Sequence, residues 1–419
     1  MKKIILLISV FSICISAALM AQVIPQTVTI NPGYHDQVYY SMQNGASPAV
    51  DNTNWDLGFQ LRGFGASIIV NEKNNVKVYR ANKSISSWAS ITVADTTGIL
   101  NDTYRLHNSD ISWDLGALSG TYDTTNAFDL GWGVYDFVTH AVTGDSLFFI
   151  QLSTGDFKKL WIESLTTGVF YFRWADLDGA NEVAATLDKA NFTSRYFGFY
   201  SIVNNTWIDR EPVTYNQWDL LFTQYLSVTP FVYMVAGVLS NDSVFTAKAY
   251  PVDVATTGPS GQYYSLDINT IGYLWKTYDF ANNIWTIEDS LVYFVKDRSA
   301  GMWKVIFTGF GGSATGTYDF TKEFLGVVGV DENSVNPVLS LYPNPVSESL
   351  NMIIANTSSR TDAVVHIINM LGAEEKKYLV ELNAPLNTVS LNVSDLHPGI
   401  YLLNVEQNGR TSTQRFVVQ

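Results

Sequence analysis

Residues 22–339 hold three histidines, His35, His107 and His140, and no cysteine. Imidazole is the commonest metal ligand among side chains. His107 and His140 fall in turn-rich stretches of the first half, where two loop side chains can close on one bound group. Hydroxyl and carboxylate chemistry is harder to find. Gly144-Asp145-Ser146-Leu147 spells a serine-esterase motif, yet it enters a strand, its nearest histidine precedes it, and no oxyanion hole is signalled. It reads as a turn. Gly258-Pro259-Ser260-Gly261 fails the nucleophile-elbow pattern. Asp176-Leu177-Asp178-Gly179 begins with the oxygen ligands of a calcium loop, but Leu187 stands where an EF-hand needs its acidic residue. The stretch from Gly309 to Gly316 lacks the lysine of a phosphate loop and reads as a hairpin connection. No spacing pairs carboxylates for glycoside hydrolysis. Binding rather than catalysis is the expectation.

The elements that must carry these residues are strands. Of 419 residues, 14% are aromatic and only 15% charged, with 39 acidic against 25 basic and a net charge of −14. That acidity argues against a nucleic-acid partner. Apolar residues, at 47%, are too many for a disordered chain. Runs such as Leu147–Leu152, Val169–Phe172 and Leu291–Val295 are β-branched or aromatic and bounded by turn residues. The expected class is all-β.

Landmarks recur in order. Tyr40-Ser41 followed by Trp55-Asp56-Leu57-Gly58-Phe59 reappears as Tyr200-Ser201 followed by Trp218-Asp219-Leu220-Leu221-Phe222. Tyr135-Asp136-Phe137 returns as Tyr278-Asp279-Phe280, and Asp145-Ser146-Leu147 as Asp289-Ser290-Leu291. The later pairs lie roughly 145 residues apart, the signature of a duplication. The first half carries roughly 20 extra residues around 82–120, including His107 and a second Trp113-Asp114-Leu115-Gly116. In each Trp-Asp-Leu the Trp reads as core and the Asp as a cap. Trp132, Trp207, Trp275 and Trp285 are candidates for stacking on sugars, although closing an aromatic core explains them more simply.

The order Tyr-Tyr-Ser, Asn54-Trp55-Asp56-Leu57-Gly58-Phe59, then a Val-Tyr strand resembles the HmuY-type haem-binding family, as does the later hairpin running into Asp176-Leu177-Asp178-Gly179. The resemblance covers most of residues 36–325 as two units and implies an all-β surface protein that takes haem. It implies axial ligands from His or Met, here His107 and His140 as haem and iron ligands, with Met234 and Met302 the soft ligands of the second unit. The division expected is two tandem units, 22–195 and 196–330. The competing expectation is a cofactor-free adhesion or glycan-binding protein.

The ends look like address labels. Met1-Lys2-Lys3 followed by apolar Ile4–Ile15 reads as a signal peptide over 1–21. It contains Cys14, the chain's single cysteine. A polar linker at 331–339 precedes about seven short alternating runs, the pattern of a small immunoglobulin-like sandwich over 340–419. Tyr342-Pro343-Asn344-Pro345, Asn369 to Gly372, and Leu396-His397-Pro398-Gly399-Ile400-Tyr401 resemble the type A sorting domain of the Bacteroidota type IX secretion system. That resemblance implies the secretion machinery as partner, and a secreted or outer-membrane surface location reached by attachment rather than a membrane span. Pro343 and Pro345 suit the start of an edge strand.

Overall fold

Two repeated strand orders dominate the computed structural model. It describes residues 22–327 and 338–419, except 64, 127, 193, 213, 230, 356–360, 370–372, 384–385 and 408–409. The leader with Cys14, residues 331–337 of the linker and part of the Asn369–Gly372 turn lie outside the described residues. The chain divides into two compact units, one ending at Val327 and one beginning at Val328.

In the larger unit one sheet runs Val23–Thr29, Thr317–Val327, Gly301–Phe310, Val292–Lys296, Phe245–Ala249, Tyr264–Ser265. A second runs Val183–Asp188, Val169–Asp176, Phe157–Thr166, Leu147–Gln151, Lys77–Arg80, Arg105–Leu106. The two orders correspond strand for strand, and every pairing along them is antiparallel. Burial alternates along Thr317–Val327, so one face of that strand meets the core. Leu147–Gln151 is buried on both faces for four residues, which is why it reads as an unbroken apolar run.

The smaller sheets cross the expected division. Asp36–Ser41 pairs with Leu220–Ser227, placing Tyr40 opposite Leu220. Phe197–Ser201 pairs with Leu57–Gln60, placing Tyr200 opposite Leu57. Each copy therefore gives its Tyr-Ser strand to the other copy's Trp-Asp-Leu strand, in the same register. Likewise Val23–Thr29 takes, on the strand Thr317–Val327, the place that Val183–Asp188 takes on Val169–Asp176.

One core runs from Leu57 to Ile202 with Trp207 packed against it. The other joins Val28, Ile30, Val38, Tyr40 and Met42 to residues from Leu220 to Phe320. Tandem units split between 195 and 196 are thus corrected to two interlocked units, the second built from both ends of the region. Motif order shows that a stretch is duplicated; strand pairing is decided by which edges are free, and neighbours in sequence need not be neighbours in a sheet.

The C-terminal unit has seven described strands, in sheets of three and four. Val346, Leu350, Met352, Val365, Leu403 and Phe416 are among the residues of its core. Pro343 and Pro345 follow the first strand, Val338–Tyr342, rather than opening it. Asn344 between them accepts a hydrogen bond from the Val417 N–H at 2.8 Å, tying this turn to the last strand. Among the described residues no helix is long and apolar enough to cross a membrane.

Candidate functional site

The two histidines proposed as ligands have separate occupations. His107 is half-buried, its Nδ1 2.7 Å from Glu72 Oε1. Glu72 also accepts from Arg105 at 3.3 Å and from the Asn108 N–H at 3.3 Å. This network fastens the extra segment of the first half to the turn Glu72–Asn74.

His140 is exposed at the end of a hairpin turn, with φ of 56° and Nδ1 2.8 Å from the Tyr135 hydroxyl. The equivalent residue of the second copy is Asn283, with φ of 55° and its Oδ1 3.4 Å from the Tyr278 hydroxyl. Asn and His are both enriched in the left-handed region, so the turn accounts for His140. Neither histidine lines the cavity described below. Met302 is core and Met234 half-buried.

The other motifs resolve as local structure. Ser146 donates to Asp145 at 2.8 Å and accepts from Arg80 at 3.0 Å. Asp176 is paired with Lys158 and accepts from Asn181 at 2.6 Å, inside a hairpin turn. His35, Asp36 and Asp51 could together hold a cation, but His35 is exposed and already hydrogen-bonded to Asp36. Trp132 and Trp275 are core, and Trp207 and Trp285 are half-buried.

Where the copies meet, the same contacts appear twice. Asp56 Oδ2 accepts from the N–H groups of Ile202 at 2.7 Å and Val203 at 3.2 Å. Asp219 Oδ2 accepts from the Met42 N–H at 2.7 Å. Asn71 donates to the Trp55 carbonyl at 3.0 Å, and Asn241 to the Trp218 carbonyl at 2.8 Å. Trp55 meets Phe199 edge-on at 4.8 Å, and Trp218 meets Tyr39 edge-on at 5.2 Å. Burial pushes both carboxyls up from the ordinary aspartate value, Asp219 to about 6.

Between these paired aromatics lies a cavity of about 90 Å³. Tyr39, Trp55, Phe197, Phe199 and Trp218 wall it, with Trp113 from the extra segment and Tyr225 completing the lining. Arg210 lies behind the wall, its guanidinium 4.9 Å from the Phe199 ring centre and 5.3 Å from that of Trp55. It donates to Asn52 Oδ1 at 3.2 Å. Glu211 accepts from the Tyr196 N–H at 2.7 Å and the Phe197 N–H at 3.2 Å, and burial pushes its carboxyl up to about 7.

The indoles of Trp55, Trp88, Trp113, Trp132, Trp174, Trp275 and Trp303 each reach an acceptor. Those of Trp161 and Trp218 are buried without a partner among the described residues, as is the Tyr225 hydroxyl. Trp218 and Tyr225 both line the cavity. A space of this size suits several waters or one small ring, not a flat macrocycle.

Sequence reasoning missed Arg210, Glu211, Asp110 and Tyr225. The one available signal was the charged Arg210-Glu211 pair sitting between two apolar strands.

Comparison with known proteins is decisive for one end of the chain. Residues 340–419 match the family described as the secretion system C-terminal sorting domain. The chain carries a sorting tail. It is therefore a secreted or outer-membrane surface protein, and its tail interacts with the type IX secretion machinery. The tail says nothing about what residues 22–327 bind. No curated protein matches the chain.

Among solved structures, dimeric latent PorU from Porphyromonas gingivalis overlaps at 12% identity and a TM-score of 0.18, covering 67% of this chain. The overlap spans only 31% of the PorU chain. The BSP domain of a biofilm associated protein overlaps at 10% identity and a TM-score of 0.18, covering 95% of this chain and 81% of that one. Overlaps this slight define neither fold nor function.

Proposed function

We propose that this is a secreted or surface-displayed binding protein, not an enzyme, which takes a small ligand between its two repeats without a resident cofactor. The observation that carries this reading is the pair of buried donors, Trp218 Nε1–H and Tyr225 O–H, left unpartnered on two residues that line an aromatic cavity. Leaving a buried donor unsatisfied costs about 1–3 kcal/mol, and seven other indoles of the same unit avoid that cost. A ligand bearing acceptors removes it. Small concave sites with aromatic walls and a few polar groups are the usual form of a ligand site.

Haem held by His107 and His140 is the competing proposal, and less supports it. Both imidazoles already have partners, and one occupies a position that the second copy fills with Asn283.

The test is a thermal-shift screen of the full chain against neutral methyl glycosides, choline, free amino acids and haemin. Binding in the cavity raises the melting temperature for at least one member, and Trp218→Phe lowers that shift. If no member shifts it, or the shift is the same in Trp218→Phe and Tyr225→Phe, the proposal fails. A sharp low-spin haemin band lost in His107→Ala would restore the haem reading.

A further inference from the structure

Most charged groups around the cavity have partners within the chain, although Nε and Nη1 of buried Arg210, behind the wall, have none among the described residues. Glu72 is held by Arg105 and His107. Lys73 donates to the His35 carbonyl at 3.4 Å. Glu211 is engaged by two backbone N–H groups. The place where a cation would lie against Trp55 and Phe199 is filled by Arg210 of the chain itself.

What remains is neutral hydrogen-bonding capacity. Trp218 and Tyr225 each offer an unused donor. Asp110, 5% exposed, accepts from Ser227 Oγ at 3.3 Å and the Val228 N–H at 3.2 Å through Oδ2 only, leaving Oδ1 free to accept. The residues that carry both donors and the carboxylate line the same cavity as the aromatic walls.

Resting on the binding function proposed above, we propose that the cavity takes the terminal ring of a neutral saccharide. A sugar hydroxyl both accepts and donates, so one ring can answer two donors and a carboxylate at once. A quaternary ammonium accepts nothing and would leave Trp218 and Tyr225 unsatisfied. An anion would meet the carboxylate of Asp110. The C–H faces of a pyranose ring complement aromatic side chains, whose ring faces carry negative charge and favour C–H edges. A terminal ring needs only one opening, whereas an internal unit of a long polymer needs a groove open at both ends.

The experiment is calorimetric titration of the full chain with the methyl glycosides of glucose, galactose, mannose and N-acetylglucosamine, and with choline in parallel. At least one glycoside is expected to bind. Trp218→Phe, which removes only the N–H and part of the ring, is expected to weaken it about tenfold or more. Tyr225→Phe and Asp110→Asn serve the same purpose where Trp218→Phe does not fold, and Tyr225→Phe is the mildest of the three.

Choline binding that Trp218→Phe weakens, with no glycoside bound, overturns the saccharide assignment while leaving the cavity as the site. No ligand affected by any of the three variants overturns both. Glycoside binding that all three variants leave unchanged places the sugar elsewhere and overturns the inference.

Discussion

Asp219 accepts the backbone N–H of Met42 across 177 residues of chain, and Asp56 accepts that of Ile202 across 146. Each aspartate belongs to one copy of the Trp-Asp-Leu motif and caps the turn that follows the other copy's Tyr-Ser strand. The motif is thus a clasp between repeats. Its Trp walls the cavity and its Asp fixes the strand that supplies the opposite wall.

Breaking one clasp is expected to loosen the whole larger unit. Asp219→Ala leaves the Met42 N–H buried without its acceptor, at a cost of about 1–3 kcal/mol. Asp219→Asn keeps an acceptor and is expected to cost less. Urea unfolding at pH 7 measures both. Equal losses would mean that the carboxylate oxygen is not acting as this acceptor.

Acidity should strengthen the junction rather than weaken it. Burial raises Glu211 to about 7 from an ordinary 4.5. A carboxyl whose folded-state value is raised stabilises most below its unfolded value, and that contribution is lost as pH climbs through about 7. A shift of this size corresponds to about 3 kcal/mol between pH 4 and 8. Glu211→Gln is expected to flatten stability across that window, as read by urea unfolding at pH 4.5, 5.5, 6.5 and 7.5. A slope unchanged by the substitution would contradict the assignment.

Replacing the histidines separates structure from ligation. His140→Asn copies what the second repeat has at the same turn and is expected to change stability by less than about 0.5 kcal/mol. His107→Ala removes one of the bonds to buried Glu72 and is expected to cost about 1–2 kcal/mol. Neither substitution is expected to alter the absorption spectrum of the protein mixed with haemin. A Soret band that collapses in either variant would return both residues to a ligand role.

Much of this was legible in the sequence, for identifiable reasons. Trp55, Trp218 and their neighbours announce themselves because a strand that meets a core needs the same residue types wherever it occurs. The sorting tail shows in Tyr342-Pro343-Asn344-Pro345 and the run to Tyr401. The partner of each strand does not show, because a Tyr-Ser strand presents the same edge to either copy. His140 was misleading for a related reason: a turn needing positive φ accepts His or Asn alike, and only alignment with Asn283 distinguishes turn from ligand. Asp110 was hidden because the extra segment has no counterpart in the second repeat with which to compare it.

The cavity exists only if the repeats are interlocked, so strand exchange is the claim to test first. Thr27 lies directly opposite Asp319, its hydroxyl 2.6 Å from Asp319 Oδ1 across 292 residues. Residues directly opposite in an antiparallel pair lie within disulfide reach, and residues 22–419 contain no cysteine of their own. Thr27→Cys with Asp319→Cys should therefore form a disulfide within a single chain, seen as faster migration on a non-reducing gel and loss of both free thiols. Two thiols that stay free in the folded monomer under oxidising conditions would contradict the interlocked arrangement.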